Sequence, residues 1–118
     1  MQRLFPLGLV ALLLVGCQTA RPLYFWGSYE PLMYNCYKSP DKAGPTEQVA
    51  RLKADLAKAA AENLPPNPGL HAQLGVAYVQ LGNIEAAIGE FEAEKALFPE
   101  SALFMDRLLA QLKGAPAK

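Results

Sequence analysis

The 118-residue sequence has one histidine, two cysteines and no excess of either charge, with 11 Lys and Arg against 11 Asp and Glu. This balance gives no sign of the basic patch that nucleic acid or an anionic membrane surface would attract. No Glu or Cys is placed to complete a ligand set around His71, so we expect an ordinary helix-face residue there and no metal site. The sequence also lacks a Gly-x-Ser-x-Gly elbow and a phosphate-binding glycine loop. We therefore expect neither an enzyme nor a small-molecule substrate.

No hydrophobic run is long enough to span a bilayer. The apolar stretch from Leu4 to Val15 is too short, follows the single cation Arg3 and ends in small Gly16 before Cys17, which is the pattern of a cleaved signal peptide. The ending Leu14-Val15-Gly16-Cys17 resembles the lipobox of bacterial lipoprotein precursors. An ordinary secretory signal with an incidental cysteine is the alternative.

The lipobox resemblance implies a lipid anchor. Cys17 would receive a diacylglyceryl thioether, residues 1–16 would be removed, and the new amino terminus would be acylated; several acyl chains anchor firmly. Gln18 stands where Asp would favour the inner membrane, so we expect the periplasmic face of the outer membrane. Removal of 16 of the 118 residues leaves 102, enough for one domain. No cofactor is expected other than this covalent lipid.

The second cysteine, Cys36, then has no partner in the mature chain. It lies in the apolar, aromatic stretch from Leu32 to Tyr37, where it could be buried as a small hydrophobe. An intermolecular disulfide is the alternative in an oxidising compartment.

The apolar periodicity predicts an all-α fold of short helix hairpins. Ser28 is expected to cap a short helix over 29–37, and Thr46 to cap a longer one that ends near Asn63. No segment alternates convincingly as a strand.

Three more helices follow the proline-rich stretch 64–68. The third carries its apolar face from Leu70 to Leu81 before the turn at residues 82–83, and the fourth follows at once and stops at Pro99. Ser101 is expected to cap a last helix, over 101–113. The glutamates of the fourth helix are interpreted as its solvated side: Glu85, Glu90, Glu92 and Glu94.

Residues 68–101 resemble one tetratricopeptide repeat, a 34-residue pair of antiparallel helices. The matching positions are Leu74, Gly75, Tyr78, Gly82, Ala87, Phe91 and Pro99. The resemblance implies that Gly75 and Ala87 lie where the two helices cross. The pattern departs at His71, where a large aromatic is usual, and at Glu94, where a small residue is usual. The first two helices are interpreted as a degenerate repeat, because repeats stack on neighbours.

Repeat geometry would place Gly69, Ala72, Val76, Val79 and Gln80 on the face that binds peptides in such proteins. This face lacks the basic side chains of a carboxylate clamp, so an apolar helix, or the aromatic stretch of the chain itself, would fit better. Simple packing against the preceding helices is the alternative.

Six aromatic residues crowd the stretch 24–37, which could fill the core, touch lipid headgroups or dock on another protein. We expect core positions for Tyr29, Leu32 and Tyr37. For Tyr24, Phe25 and Trp26 we expect contact with a partner or with the membrane interface. The candidate partner-binding residues are therefore Tyr24, Phe25, Trp26, Tyr29, Val76 and Val79.

The residues 23–30, Leu-Tyr-Phe-Trp-Gly-Ser-Tyr-Glu, resemble the Leu-Tyr-x-Trp-Gly-x-Tyr-Glu pattern of a family of small envelope lipoproteins known as domain of unknown function 4810. Members tend to be encoded beside other lipoproteins, one of which resembles the curli-secretion channel subunit. The resemblance implies an accessory or scaffold role with such proteins. The sequence thus divides into a signal (1–16), a lipidated aromatic tether (17–28) and a helical domain (29–118). Contact with the cell wall, suggested by terminal Lys118, and activation of a peptidoglycan or glycan hydrolase are the alternatives.

Overall fold

The computed structural model describes residues 19–114, and the fold of this part of the chain is all-α as predicted. The helices are α1 (Tyr29–Lys38), α2 (Pro45–Ala61), α3 (Leu70–Gln80), α4 (Ile84–Leu97) and α5 (Ala102–Leu112), with short 3-10 turns at Pro40–Lys42 and Pro99–Ser101. Within the described range the only β-type pairing is a single bridge between Phe25 and Pro66. The predicted signal at 1–16, the lipidation site Cys17 and Lys118 lie outside the described residues.

The bounds of α2 differ from the prediction. Thr46 does not cap this helix, because α2 already begins at Pro45 with Gly44 at the N-cap position. Proline suits the first helical position, since its φ is preset and its missing N–H would have no intrahelical partner. The helix ends at Ala61, and Asn63 adopts a left-handed backbone with φ of +53°. Asparagine tolerates that conformation, which stops the helix two residues earlier than expected.

Two serines occupy the predicted N-cap positions but do not cap with their side chains. The Ser28 hydroxyl donates to the Asp55 carboxylate at 2.7 Å, and the Ser101 hydroxyl donates to the Phe98 carbonyl at 2.7 Å. At α4, by contrast, the Asn83 side chain accepts the Ala86 N–H at 3.1 Å, so this asparagine caps the helix. The predicted turn between α3 and α4 is confirmed, with α3 ending just before Leu81.

Within residues 19–114, most of the buried apolar side chains form two clusters. The first joins α1, α2 and α3 through Leu32, Ala43, Leu52, Leu70 and Leu74. The second joins α4 and α5 through Ala87, Phe91, Met105 and Leu109, with Ala72 of α3 packed against it. Tyr78 contacts both clusters, so α3 is the helix shared by the two halves of the domain.

The α3–α4 pair is an antiparallel hairpin with a close crossing at Gly75. A methyl group added at Gly75 would lie 2.5 Å from Phe91 Cε1, well inside van der Waals contact. Both Gly75 and Ala87 are buried, as the sequence predicted. The small side chains allow the helices to approach, and Phe91 fills the space between them. None of the helices within residues 19–114 is both long and apolar enough to cross a membrane.

Candidate interaction surface

The segment 23–30, called here the N-terminal segment, packs on the helical body. The Tyr24 ring meets the Phe98 ring edge-on, with centroids 5.8 Å apart. The Phe25 N–H donates to the Pro65 carbonyl at 2.9 Å, and the Phe25 carbonyl accepts the Asn67 N–H at 3.2 Å. Tyr24 and Phe25, both predicted as contact residues for a partner or membrane, are therefore half-buried by contacts within the chain.

Trp26 and Tyr29 differ in their exposure. Trp26 is 43% exposed, with its ring centroid 6.4 Å from that of Tyr29. Tyr29 is half-buried and packs against the first core cluster, with its hydroxyl beside Gly69. Burial, and next the negative charge of Glu94, raise the pKa of the Tyr29 phenol above its usual value. Of these two candidates, Trp26 offers the more accessible ring.

The prediction that Tyr37 lies in the core is wrong, since this side chain is 94% exposed. The inner face of α1 consists of Tyr29, Leu32, Met33 and Cys36 at helical spacing. Tyr37 follows Cys36 by one position and so turns away from that face. Leu32 is fully buried and Tyr29 partly buried, so the prediction holds for these two residues.

Asp55 of α2 secures the start of α1. Its Oδ2 atom accepts the Ser28 backbone N–H at 2.9 Å and the Ser28 hydroxyl at 2.7 Å, and the side chain is almost fully buried. A carboxylate at a helix N-terminus is favoured by the helix dipole. An open cleft of about 440 Å³ adjoins this contact and is bordered by Arg51 and Lys58. The one carboxyl group in the lining of this cleft is that of Asp55, which is already bonded to Ser28. The cleft therefore lacks the facing pair of carboxyl groups that glycoside hydrolysis uses.

Glu94 corrects the prediction of a solvated face on α4. This side chain is only 3% exposed and accepts the Gly69 N–H at 2.7 Å and the Ala72 N–H at 3.3 Å. It therefore binds the N-terminus of α3 from the neighbouring helix, where a negative charge is favoured. Glu90 is also half-buried, whereas Glu85 and Glu92 are exposed as predicted.

The partner of Glu90 is His71. The His71 Nδ1 atom lies 2.6 Å from Glu90 Oε2, and both side chains are largely covered. Within residues 19–114 no cluster of three or more potential metal-ligating side chains occurs. The two departures from the repeat pattern, His71 and Glu94, thus each make a polar contact between α3 and α4. The sequence analysis did not predict these contacts, although the two departures from the repeat pattern marked both positions.

An apolar stripe remains open on α3. It consists of Val76 and Val79, which lie about one helical turn apart and are each 36% exposed, and it is called here the α3 stripe. Ala72, also predicted for this face, packs instead against the second core cluster. Beside the α3 stripe the Gln73 side chain donates to Gln48 Oε1 of α2 at 2.9 Å. A shallow cleft of about 320 Å³ continues from this contact and is lined by Gln80 and by residues of the α1–α2 connection.

Cys36 lies at the edge of the first core cluster and is half-buried. Its sulfur is 3.7 Å from the Ala43 carbonyl oxygen. Burial, and to a lesser extent the charge of Glu47, raise the pKa of the Cys36 thiol, which favours the unreactive protonated form at neutral pH. The geometry therefore agrees with the buried alternative more closely than with an exposed thiol.

These contacts define a small all-α domain in which an aromatic N-terminal segment is bound across the ends of the helices. The chain belongs to the family described as "Domain of unknown function (DUF4810)", whose model matches residues 23–108. The match begins at Leu23 and reaches into α5, so it includes both the N-terminal segment and the helical body. No curated protein and no solved structure matches the chain.

Proposed function

We propose that this protein is a lipoprotein anchored through Cys17 to the periplasmic face of the outer membrane, where its helical domain is an accessory or scaffold in an envelope complex. The anchor is supported by the order of residues 3–17, in which a cation, an apolar run, a small residue and a cysteine succeed one another. Gln18 supports outer-membrane sorting.

The α3–α4 hairpin is the proposed tetratricopeptide-like unit. Support comes from the antiparallel pairing, the close crossing at Gly75 and the filling of the crossing by Phe91. Helices α1 and α2 on one side and α5 on the other bury the faces that further repeats would cover in a longer array.

Binding is favoured over catalysis by one observation: the α3 stripe is exposed on the helix that is shared by both core clusters. The strongly buried carboxylates Asp55 and Glu94, in contrast, are occupied by backbone N–H groups. An apolar stripe on a well-supported helix suits docking of an amphipathic helix from another protein. The proposed partners are other envelope lipoproteins or a protein related to a secretion channel.

The anchor can be tested with a single substitution. In Cys17→Ala, we expect an uncleaved precursor that incorporates no labelled palmitate. Normal palmitate incorporation by this variant would contradict the lipoprotein assignment. Separation of inner and outer membranes on a sucrose gradient then tests the proposed location.

The scaffold role calls for affinity purification of tagged, lipidated protein from crosslinked, detergent-solubilised envelopes. The test variant is Val76→Gln with Val79→Gln, and the matched control is Tyr34→Gln with Tyr37→Gln on α1, whose side chains are also exposed. We expect one or two lipoproteins to be recovered with the wild type and the control but lost with the test variant. Equal recovery by all three proteins would argue against the α3 stripe.

A structural role at the cell wall is the second candidate. Recovery of wall fragments without a lipoprotein partner would favour it. Activation of a peptidoglycan or glycan hydrolase remains a third candidate, and recovery of such an enzyme in the same experiment would favour that role.

A further inference from the structure

The chain meets the helical domain very soon after Cys17. The Arg21 guanidinium donates to the Glu62 carbonyl at 3.1 Å, and the backbone is hydrogen-bonded to the domain at Phe25. Four residue steps separate Cys17 from Arg21, which corresponds to about 14 Å of fully extended chain. A lipid on Cys17 would therefore hold this part of the domain close to the bilayer.

Apart from the bonds between Ser28 and Asp55 in the interior of α2, the contacts of the N-terminal segment lie at one end of the helical body. The Phe25 backbone is hydrogen-bonded to residues that follow the C-terminus of α2. Tyr24 packs on Phe98 at the C-terminus of α4, and Tyr29 lies against Gly69 at the start of α3. The α3–α4 turn at Leu81 is at the opposite end, about 20 Å away along the 14 residues of α4. The domain thus has two ends, called here the entry end, near Phe25 and Phe98, and the far end, at the α3–α4 turn.

Several exposed apolar side chains lie where the chain enters, while Leu81 and Ile84 are exposed at the far end. Leu23 is 79% exposed and Trp26 is 43% exposed. Leu103 and Phe104, which follow Phe98 closely at the start of α5, are also exposed. Transfer of a leucine side chain out of water lowers the free energy. Tryptophan is favoured at the level of the lipid headgroups, where its ring contacts apolar groups and its N–H contacts polar ones. The Arg21 side chain has the chemistry to meet a lipid phosphate there.

We propose that the entry end of the domain rests on the lipid surface, with Leu23 and Trp26 in the interfacial layer, and that the α3 stripe is thereby presented at a fixed height above the membrane. This inference rests on the proposed anchor at Cys17. A lipid surface is favoured over a protein as the occupant because the short chain from Cys17 to Arg21 brings these side chains to the bilayer.

Trp26 is the single tryptophan of the chain and therefore a reporter at the site. The full lipidated protein would be reconstituted in vesicles of phosphatidylethanolamine and phosphatidylglycerol, with and without brominated acyl chains. We expect the Trp26 emission to fall roughly twofold with bromine near the headgroups, because the ring would lie at interfacial depth. Leu23→Ser should weaken this quenching, whereas Leu81→Ser, a matched exposed leucine at the far end, should leave it unchanged.

Two results would overturn the proposal and can be told apart. If mass spectrometry shows lipid on Cys17 but brominated vesicles leave the emission of Trp26 unchanged, the lipid-contact proposal is wrong and the anchor stands. If no lipid is found on Cys17, both the proposed anchor and the proposed lipid contact are wrong. Equal quenching in Leu23→Ser and wild type would remove Leu23 from the contact.

Discussion

Replacing Gly75 by alanine tests whether α3 and α4 cross where the structure places them. The added methyl group would lie 2.5 Å from Phe91 Cε1 and 2.8 Å from Phe91 Cδ1, about 1 Å closer than ordinary van der Waals contact. Phe91 is 1% exposed and packs among core side chains, so its ring cannot simply turn into solvent. Overpacking of this kind costs roughly 1–3 kcal/mol.

Alanine also favours a helix over glycine by about 0.5–1 kcal/mol, which partly offsets the clash. Gly89 of α4 supplies the matched control, because it is helical and exposed and an added methyl group there meets nothing within 4 Å. Gly89→Ala should therefore stabilise the domain by about 0.5–1 kcal/mol. The difference between the two variants isolates the overpacking cost of the crossing.

Chemical denaturation followed by circular dichroism measures both variants. We expect Gly75→Ala to lower the free energy of unfolding by about 1.5 kcal/mol and Gly89→Ala to raise it. For a domain of this size each 1 kcal/mol changes the melting temperature by roughly 4–8 °C. If Gly75→Ala and Gly89→Ala both raised the free energy of unfolding above that of the wild type by the same amount, the close crossing at Gly75 would be refuted.

Three further predictions concern polar and titrating groups. Glu94→Ala should lower the free energy of unfolding by about 2 kcal/mol, because the Gly69 N–H loses its buried acceptor. The exposed control Glu92→Ala should change it by less than about 0.5 kcal/mol, and equal losses for the two variants in chemical denaturation would contradict the buried cap. Because the pKa of Tyr29 is raised on folding, its contribution to stability is present below the unfolded pKa near 10 and declines as pH rises above that value. The melting temperature of the wild type should therefore fall relative to that of Tyr29→Phe as the pH becomes more alkaline, and a constant difference between the two proteins would contradict this prediction. The Cys36 thiol, with its raised pKa, should react several-fold more slowly with iodoacetamide at pH 8 in the folded protein than in denaturant, and equal rates would show that it is accessible.

The helices could be predicted from the sequence because their apolar residues recur every three or four positions, and each core stripe is long enough to be distinctive. The turn was predicted from the turn-forming residues Gly82 and Asn83, and the pair of Gly75 and Ala87 was implied by the resemblance to a tetratricopeptide repeat. The start of α2 was missed because Thr46 and Pro45 both favour the beginning of a helix, and local propensity does not rank them.

The candidate site was predicted less completely. Tyr37 was assigned to the core together with Tyr29 and Leu32 as part of the aromatic stretch, but the inner face of α1 is filled by Tyr29, Leu32, Met33 and Cys36. Glu94 was assigned to solvent because the glutamates of the fourth helix alternate with its apolar residues. Its burial depends on N–H groups at the start of α3 that are distant in sequence. The bond between Ser28 and Asp55 spans 27 residues and has no local pattern.

The sequence by itself determined the all-α class and the order of the helices, because these follow from local periodicity, while the small residues at the helix crossing were implied by the resemblance to a tetratricopeptide repeat. Only the tertiary structure decided which polar groups are buried, where the N-terminal segment is bound and which apolar side chains stay exposed. These depend on contacts between distant parts of the chain: Glu94 is stabilised at the α3 N-terminus, and Tyr24 is covered by Phe98. The free energy of burying a charge or a ring is set by the groups that surround it after folding.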